Sequence, residues 1–352
     1  MLENFRPRFL ATANNSTPHT NAKRACDIIL ESISEAPILP NLPRLGYLKG
    51  IMRTYEGMPC LMVDEENERI YFDTSHGTEE ALTRFYEEYL AENLDYFAIS
   101  RKCHPGLHAM LDTMRESKPK GLRMLKGGVA GPVTTGMKVT DENNRPVFYN
   151  DAMMDAVVKT LVMKVKWQEK EMERCAPGVL PAMEIGEPLL ALYGSAFAAL
   201  NRGDILRCLN EVAEASHGLT YVHCCANTDW TILMESKAHI ISFDAYGYAE
   251  TLALYPQETQ AFLERGGMLA WGIVPTADEK VATESADTLI ERLERAMQAM
   301  AERGVDRQLL LNSALVTPSC GTGAMSVAAA EKVYRLTRQV SAAFKMKYFG
   351  GN

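Results

Sequence analysis

Short apolar runs alternate with amphipathic segments along almost the whole chain. A long amphipathic segment, for example, covers Asp151–Cys175 and stops before a Pro-Gly pair. This alternation is typical of βα units repeated around a parallel sheet. The runs predicted as strands are Phe9–Ala13, Tyr96–Ser100, Leu122–Gly127, Pro181–Gly186, Leu219–Cys224, Ile240–Asp244, Met268–Ile273 and Leu309–Ser313. Eight units in 352 residues, without a Pro- or Ser-rich linker, predict an α/β fold: one (β/α)8 TIM-barrel domain over residues 1–352.

Residues 58–73 break the alternation. Two β-rich pieces, Met58–Val63 and Arg69–Phe72, flank a short polar stretch, which predicts an inserted β-hairpin. Insertions after barrel strands usually build the rim over the active site. We therefore expect the hairpin either to cover the pocket or to act as a purely structural flap.

Composition narrows the class of protein. Apolar residues make up 47% of the chain, enough for a full core, and the formal net charge is -8. An acidic chain without a basic stripe is not expected to bind nucleic acid, since phosphate binding needs clustered Lys and Arg. No apolar stretch approaches the roughly 20 residues that span a bilayer, and no signal peptide is evident. We expect a cytoplasmic protein that does not bind membranes.

The eight cysteines are expected to be thiols or metal ligands, because a chain of this length in a reducing compartment does not use a disulfide framework. Five of them have no neighbour at ligand-like spacing and are predicted to be small buried residues. These five are Cys26, Cys60, Cys103, Cys175 and Cys208.

The remaining cysteines lie beside a histidine or near the C-terminal end. His223 and Cys225 stand two apart at the end of a predicted strand, so both side chains can face one ion, and Cys320 follows the last predicted strand. Zinc binds imidazole nitrogen and thiolate sulfur, and a catalytic site uses three protein ligands and leaves a fourth position open. Strand ends are also where barrel enzymes keep their chemistry. The alternative is a buried core histidine beside inert thiols.

Asp244 closes the strand after the one that carries His223. It could be a further metal ligand or could orient His223 through a hydrogen bond. It could equally cap the helix that begins near Tyr246.

At these residues the chain resembles the catalytic barrel of cobalamin-independent methionine synthase, in the wider group that includes uroporphyrinogen decarboxylase and methylcobamide:coenzyme M methyltransferases. The resemblance covers most of the chain, and the His-x-Cys and Pro-x-Cys-Gly pieces are its specific motifs. The residues that carry it are Asn15–His19, Gly131–Thr134, Gly186–Pro188, His223–Cys225, Ile241–Asp244 and Pro318–Gly321.

The resemblance implies a zinc-dependent methyltransferase. His223, Cys225 and Cys320 would bind Zn²⁺, and Asp244 would replace the Glu that completes the metal site of the family. The methyl acceptor would be a small thiol bound at zinc, homocysteine or another thiol such as a sulfonate. The methyl donor would be a methylcorrinoid protein or methyltetrahydrofolate. This chain resembles a core-only form without the second, folate-binding barrel, which favours the corrinoid.

Two departures from the family concern the acceptor. Methionine synthases have Asp-Glu-Pro where this chain has Gly186, Glu187 and Pro188, and that Asp helps to hold the homocysteine ammonium. The acidic residue expected after the second strand is also absent, since Arg101 and Lys102 follow instead. These cations either suit an anionic thiol or are simply exposed. The residues expected to contact substrate are Ser16, His19, Thr134, Gly186, Glu187 and Trp271.

Two rival functions stay open. A lyase of the uroporphyrinogen decarboxylase kind would share the fold, but its chemistry needs no metal and leaves the His-Cys-Cys motif unexplained. A non-catalytic zinc- or corrinoid-binding protein would explain the motif and the loss of the family's Asp at Gly186.

Overall fold

Seven parallel strands form the main sheet of the computed structural model, which describes residues 5–46, 52–64, 66–67, 69–75 and 77–350. The strands of the chain are β1 (Leu10–Ala11), β2 (Leu61–Asp64), β3 (Arg69–Phe72), β4 (Met124–Ala130), β5 (Thr140–Asp141), β6 (Leu180–Gly186), β7 (Leu219–Cys224), β8 (Ile240–Phe243), β9 (Met268–Val274) and β10 (Ala314–Pro318). The main sheet has the order β1-β10-β9-β8-β7-β6-β4. Helices cover its outer face, so the fold is the α/β TIM barrel expected from the alternation.

The helices follow the strands in the expected alternation. They are α1 (Ala22–Ile33), α2 (Thr78–Leu90), α3 (Pro105–Glu116), α4 (Pro132–Lys138), α5 (Asp151–Cys175), α6 (Arg202–Glu214), α7 (Trp230–Glu235), α8 (Ala245–Leu252), α9 (Pro256–Glu264), α10 (Asp278–Thr283), α11 (Ala286–Glu302), α12 (Arg307–Asn312) and α13 (Val327–Phe349). Helix α5 begins and ends where the sequence predicts. No helix among the described residues is both long and apolar enough to cross a bilayer.

The gap between β1 and β4 is filled by the segment 35–41, which the sequence did not predict to be extended. Ile38 bridges Lys126 of β4 in parallel, and Asn41 bridges Ser16 beyond β1. The amide of Leu39 donates to the carbonyl of Lys126 at 2.8 Å. Pro37 and Pro40 have no amide hydrogen, so this segment cannot form a regular ladder and makes isolated bridges instead.

Two predicted strands are therefore wrong. Tyr96–Ser100 forms turns and an irregular segment, and the second position of the barrel belongs to residues 35–41. Leu309–Ser313 lies mostly in helix α12, which begins after Asp306, whose carboxylate accepts a hydrogen bond from the amide of Leu309 at 2.8 Å. The strand itself, β10, starts directly after this helix. The other six predicted strands are confirmed, with ends shifted by up to three residues.

The inserted hairpin is confirmed as strands β2 and β3, which pair in antiparallel register from Leu61 with Phe72 to Asp64 with Arg69. Strand β3 also pairs in parallel with β5, through Tyr71 and Thr140. A separate three-stranded sheet thus ties the hairpin to the chain that follows α4. Residues 65 and 68 of its turn lie outside the described residues.

The barrel interior changes from apolar to polar towards the carboxyl ends of the strands. Its lower layers are the buried side chains Leu10, Met124, Leu180, Leu219, Tyr221, Ile240, Met268 and Leu315. Because side chains two apart share a face of a strand, the next inward residues are Lys126 on β4, Glu184 on β6, His223 on β7 and Ser242 on β8. The polar end of the barrel is where the candidate site lies.

Candidate metal centre

The side chains of His223, Cys225 and Cys320 meet at the carboxyl ends of the strands. One ligand atom from each of the three lies within 4.8 Å of the others. His223 is on β7, Cys225 follows the end of that strand, and Cys320 stands two residues beyond β10. The register of β10 against β9 shifts between Thr317 and Pro318, two residues before Cys320.

The turn that carries Cys320 packs closely against the side chain of Ser16. The next residue is Gly321, and a Cβ atom there would lie 2.0 Å from Oγ of Ser16. Only glycine fits this position without displacing the loop after β1. The Cys-Gly pair of the sequence motif therefore has a steric basis in the contact between the first and last strand ends.

His223 offers one free ring nitrogen. Its Nδ1 atom is 3.0 Å from Oγ of Ser242, which lies beside it in the register of β7 and β8. Its Nε2 atom is buried and has no hydrogen-bonded oxygen or nitrogen partner among the described residues. A buried imidazole with one nitrogen oriented and the other unpartnered is suited to bind a metal ion through the second.

The two sulfurs have opposite acidities. Hydrogen bonds from Cys320 and His223 lower the pKa of Cys225, while the hydrogen bond to Cys225, burial and the charge on Cys225 raise the pKa of Cys320. By contrast, burial raises the pKa of the adjacent Cys224 to about 12. All eight cysteines are free thiols. Cys225 therefore differs from its neighbour in being poised as a thiolate, the form that binds metals.

This donor set fits a zinc ion. One neutral imidazole nitrogen and two sulfurs are ligands that zinc prefers, and three protein ligands leave one position for a reactant. An ion there would also give the Nε2 atom of His223 the partner that it lacks. Whether zinc occupies the site stays a prediction.

Asp244 lies outside this group of three. Its Oδ1 atom accepts a hydrogen bond from the amide of Gly247 at 2.8 Å, so the side chain caps helix α8. Burial raises the pKa of Asp244, and the charge on Cys225 adds to the effect. Asp244 is thus close enough to Cys225 for their charges to interact. Its role as an exchangeable ligand stays a prediction.

A cavity of about 470 Å³ opens between the ends of β4 and β6. Thr134 and Gly186, both expected to contact substrate, line it. A Cβ atom on Gly186 would meet a single neighbour, the carbonyl of Val129, at 3.8 Å, so the space above this glycine is open. The other polar residues that line the cavity are Asn15, Asn41, Arg53, Thr54, Tyr55, Lys138 and Glu184.

Glu184 connects the cavity with the metal centre. Its charge contributes to raising the pKa of Cys320, and it also acts on the guanidinium of Arg53. Its carboxylate accepts a hydrogen bond from the ammonium of Lys126, which is fully buried and lies 4.6 Å from the centre of the Tyr221 ring. The sequence reasoning missed this pair, although two charged residues inside otherwise apolar strands were a visible signal.

Asn15, which lines the cavity, has a carbonyl oxygen without a hydrogen-bond partner among the described residues. Its Nδ2 atom donates to the backbone carbonyl of Gly127 at 3.2 Å, and a carbonyl can only accept, which fixes the orientation of the amide. The Oδ1 atom is buried and unpartnered among the described residues. Asn14 repeats the arrangement, with Nδ2 3.4 Å from the carbonyl of Pro318 and Oδ1 unpartnered.

Glu187 and Ser16, two of the other predicted substrate contacts, are engaged within the protein. Glu187 is fully buried and accepts hydrogen bonds from the amides of Val133 at 2.9 Å and Thr134 at 2.8 Å. Burial raises the pKa of Glu187 to about 7. Ser16 accepts a hydrogen bond from the amide of Gly323 at 3.3 Å.

His19, Trp271 and Arg101 also contact protein groups. His19 lies between Thr17, at 2.9 Å, and Glu331, at 3.5 Å. The Trp271 ring packs against Phe243 with 5.3 Å between ring centres, in the layer between sheet and helices. Arg101 is exposed and forms an ion pair with Asp112.

No protein-family model matches the chain. No curated protein matches it either. Solved structures do: a methyltransferase from Methanosarcina mazei is 14% identical, with a TM-score of 0.54 and 93% of both chains covered. A protein assigned as a vitamin-B12 independent methionine synthase from Listeria monocytogenes is 10% identical, with a TM-score of 0.55, over 94% of this chain and 86% of that chain. The chain has the barrel fold of these two proteins.

A third structure is less similar in shape. The B12-independent methionine synthase from Shewanella sp. W3-18-1, in complex with selenomethionine, is 18% identical over 68% of this chain and 67% of that chain. Its TM-score is 0.47, so no argument rests on it.

Proposed function

We propose that the protein is a zinc-dependent thiol S-methyltransferase. The observation that carries the proposal is the meeting of one unpartnered imidazole nitrogen and two sulfurs at the carboxyl ends of the barrel strands. His223, Cys225 and Cys320 would hold the ion. When bound, zinc would lower the pKa of an incoming thiol and keep it as a nucleophilic thiolate. The structures with the same fold are described as a methyltransferase and a methionine synthase, which agrees with this chemistry.

Neighbouring side chains would orient the metal ligands. Ser242 holds the ring of His223 through Nδ1 and so directs Nε2 into the centre. Because zinc binds thiolates, the Cys320 thiol, whose pKa is raised, would release its proton when the ion binds. Asp244 is proposed to approach the fourth position when no thiol is bound and to serve as a helix cap otherwise.

The cavity favours an acceptor that carries both charges of an amino acid. The amide oxygen of Asn15 and the carboxylate of Glu184 accept hydrogen bonds, as an ammonium group requires. Arg53 lines the same cavity and suits a carboxylate. A sulfonate thiol without an amine would leave Asn15 unpartnered. We therefore place homocysteine, which would give methionine, ahead of sulfonate thiols.

The transfer forms a bond between the acceptor sulfur and the methyl carbon while the bond from that carbon to the donor breaks. The electron pair of the broken bond stays with the donor, and the thiol proton is released to solvent. The donor is proposed to be a methylcorrinoid on a partner protein, with methyltetrahydrofolate as the alternative.

The test is metal analysis followed by a methyl-transfer assay. The purified protein is expected to contain close to one zinc per chain and to methylate one thiol of a panel that includes homocysteine and a sulfonate thiol. Methylcobalamin and methyltetrahydrofolate are offered separately, and the methylated product is measured by mass spectrometry.

Cysteine variants connect metal and activity. Cys320→Ala is expected to lose both together, whereas Cys224→Ala, the adjacent buried thiol, keeps both. Metal-dependent turnover retained in Cys320→Ala would contradict the assignment. Metal-free protein that decarboxylates a substrate would support the lyase instead.

A further inference from the structure

A groove of about 870 Å³ runs along the outside of the barrel between α8 and α11. Small side chains form its floor, Ala249 and Ala253 from α8 and Ala296 and Ala299 from α11. Helix α8 is also irregular at Tyr248, where φ is -133° and ψ is 18°. In most pairs of packed helices, larger side chains fill the space between the two helices. Here the alanines and the irregular backbone of α8 leave that space open.

One end of the groove lies near the carboxyl end of β8. Ala245, which lines this end, comes two residues after the last residue of β8, and β8 pairs with the strand that carries His223. Tyr246 also lines this end, and its hydroxyl donates to Glu284 at 2.8 Å. A molecule lying in the groove would therefore reach the edge of the barrel mouth.

Three arginines line the groove: Arg292 and Arg295 from α11, and Arg303, which directly follows it. None of the three forms an ion pair with a carboxylate of the described residues, although Arg292 stacks on Tyr246 with 4.3 Å between its guanidinium carbon and the ring centre. Elsewhere on this helix, Glu294 is paired with both Arg307 and Lys347. In a chain of net charge -8, a row of unpaired arginines is a local reversal of charge.

The spacing of the arginines distinguishes between kinds of anion. Arg292 and Arg303 are eleven positions apart, which is about 16 Å along a helix. A single phosphate cannot contact guanidinium groups spread over that length. An acidic helix or extended segment can, since its carboxylates recur along its own length, and the small-residue floor admits its backbone.

We propose that this groove, here called the α8–α11 groove, is the docking site for an acidic segment of the protein that delivers the methyl group. The proposal rests on the proposed function in one respect, namely that the partner is the methyl donor. Docking there would place the donor protein beside the barrel mouth. Glu250 is the one carboxylate among the described residues that line the groove. It would repel an acidic segment at that point and so restrict how the segment can be positioned along the groove.

The test uses a fluorescein-labelled 14-residue peptide rich in Glu as the probe, and a peptide of equal length with Gln in place of Glu as its control. Fluorescence anisotropy is measured against the full-length protein at low salt. We expect the Glu peptide to bind, and Arg295→Glu/Arg303→Glu to weaken it at least about tenfold. Raising the salt concentration should weaken it further.

A matched variant separates this site from general charge. Arg174→Glu/Arg207→Glu makes the same change in net charge at two exposed arginines on α5 and α6 and is expected to leave peptide affinity unchanged. Equal weakening by both variants, or no binding of the Glu peptide, would overturn the proposal. Competition by inorganic pyrophosphate that depends on the same two arginines would also overturn it, in favour of a small-anion site.

Activity with free methylcobalamin distinguishes the two proposals. Arg295→Glu/Arg303→Glu is expected to keep the wild-type rate with this small donor, because the groove lies outside the metal centre. An inactive wild-type protein that still binds the Glu peptide would reject the proposed function and leave the docking site standing. An active protein that does not bind the peptide would reject the docking site alone.

Discussion

Oγ of Ser242 lies 3.0 Å from Nδ1 of His223, across the adjacent strands β8 and β7. This contact occupies Nδ1 and leaves Nε2 as the ring nitrogen available to a metal ion. Ser242→Ala is expected to lower zinc affinity about 10- to 100-fold, the usual effect of removing a group that orients a metal-binding histidine. Competition with a chromophoric chelator measures the affinity. Ser242→Thr, which keeps the hydroxyl, should restore it, and an unchanged affinity in Ser242→Ala would deny the orienting role.

Asp244 offers a way to separate a ligand from a helix cap. Asn caps a helix about as well as Asp, so Asp244→Asn should leave the free energy of unfolding unchanged, whereas Asp244→Ala should lower it by about 1 kcal/mol. If Asp244 is an exchangeable ligand, Asp244→Asn lowers zinc affinity in thiol-free protein without changing zinc stoichiometry. Unfolding in urea and chelator competition provide the two readouts. An unchanged affinity would leave the cap as its whole role.

The pair of Lys126 and Glu184 should show strong energetic coupling. Glu184→Leu leaves the fully buried ammonium of Lys126 without its carboxylate and is expected to cost about 3–5 kcal/mol of stability. The double variant Lys126→Met/Glu184→Leu removes both charges and should be more stable than Glu184→Leu. Urea unfolding of the wild type, both single variants and the double variant completes the cycle. Additive costs would mean that the two charges do not depend on each other.

Lys164 is a buried cation on α5 whose ammonium donates to the carbonyl of Phe97 at 3.3 Å. Burial lowers the pKa of Lys164 to about 8, below its value of 10.5 in an unfolded chain. Between these values the unfolded chain binds more protons, so this residue makes stability rise with pH from about 8 to 10.5. Lys164→Met should therefore stabilise the protein at pH 7 by up to about 3 kcal/mol, and the advantage should shrink towards pH 10.

The control for this prediction is Lys166→Met, two residues along the same helix. Lys166 is partly exposed and pairs with Glu92 at 2.7 Å, so its removal should change stability little at either pH. Unfolding free energies at pH 7 and pH 10 test both variants. A stability gain for Lys164→Met that is the same at both values would contradict the titration of Lys164.

Periodicity predicted the strands whose residues follow a simple alternation and failed where backbone chemistry interferes. Residues 35–41 lie in the barrel wall, but Pro37 and Pro40 interrupt the ladder and make the stretch look like a turn. The run Leu309–Ser313 is apolar enough for a strand, yet the Asp306 cap commits it to helix. Such competition between local signals and tertiary position is not visible in hydrophobicity alone.

Some features of the candidate site could be predicted from the sequence and others could not. His223, Cys225 and Cys320 could be grouped from the sequence because each stands at a strand end and metal chemistry requires those residue types. The orientation of Asn15 could not be predicted from the sequence, because it depends on the carbonyl of Gly127, which is more than 100 positions away. Glu184 was missed because the sequence does not show that its partner Lys126 lies beside it on the neighbouring strand.

The position of Cys320 beyond the last strand of the barrel bears on how the protein is made. While the chain is being synthesised, the imidazole and the first sulfur emerge about 95 residues before the second sulfur. Two donors chelate a divalent ion far less tightly than three, so the proposed ion would bind firmly only after β10 has joined β1 and β9. If the protein binds zinc as proposed, metal uptake would report that the barrel has been completed, and a chain whose final strand failed to insert would lack the ion.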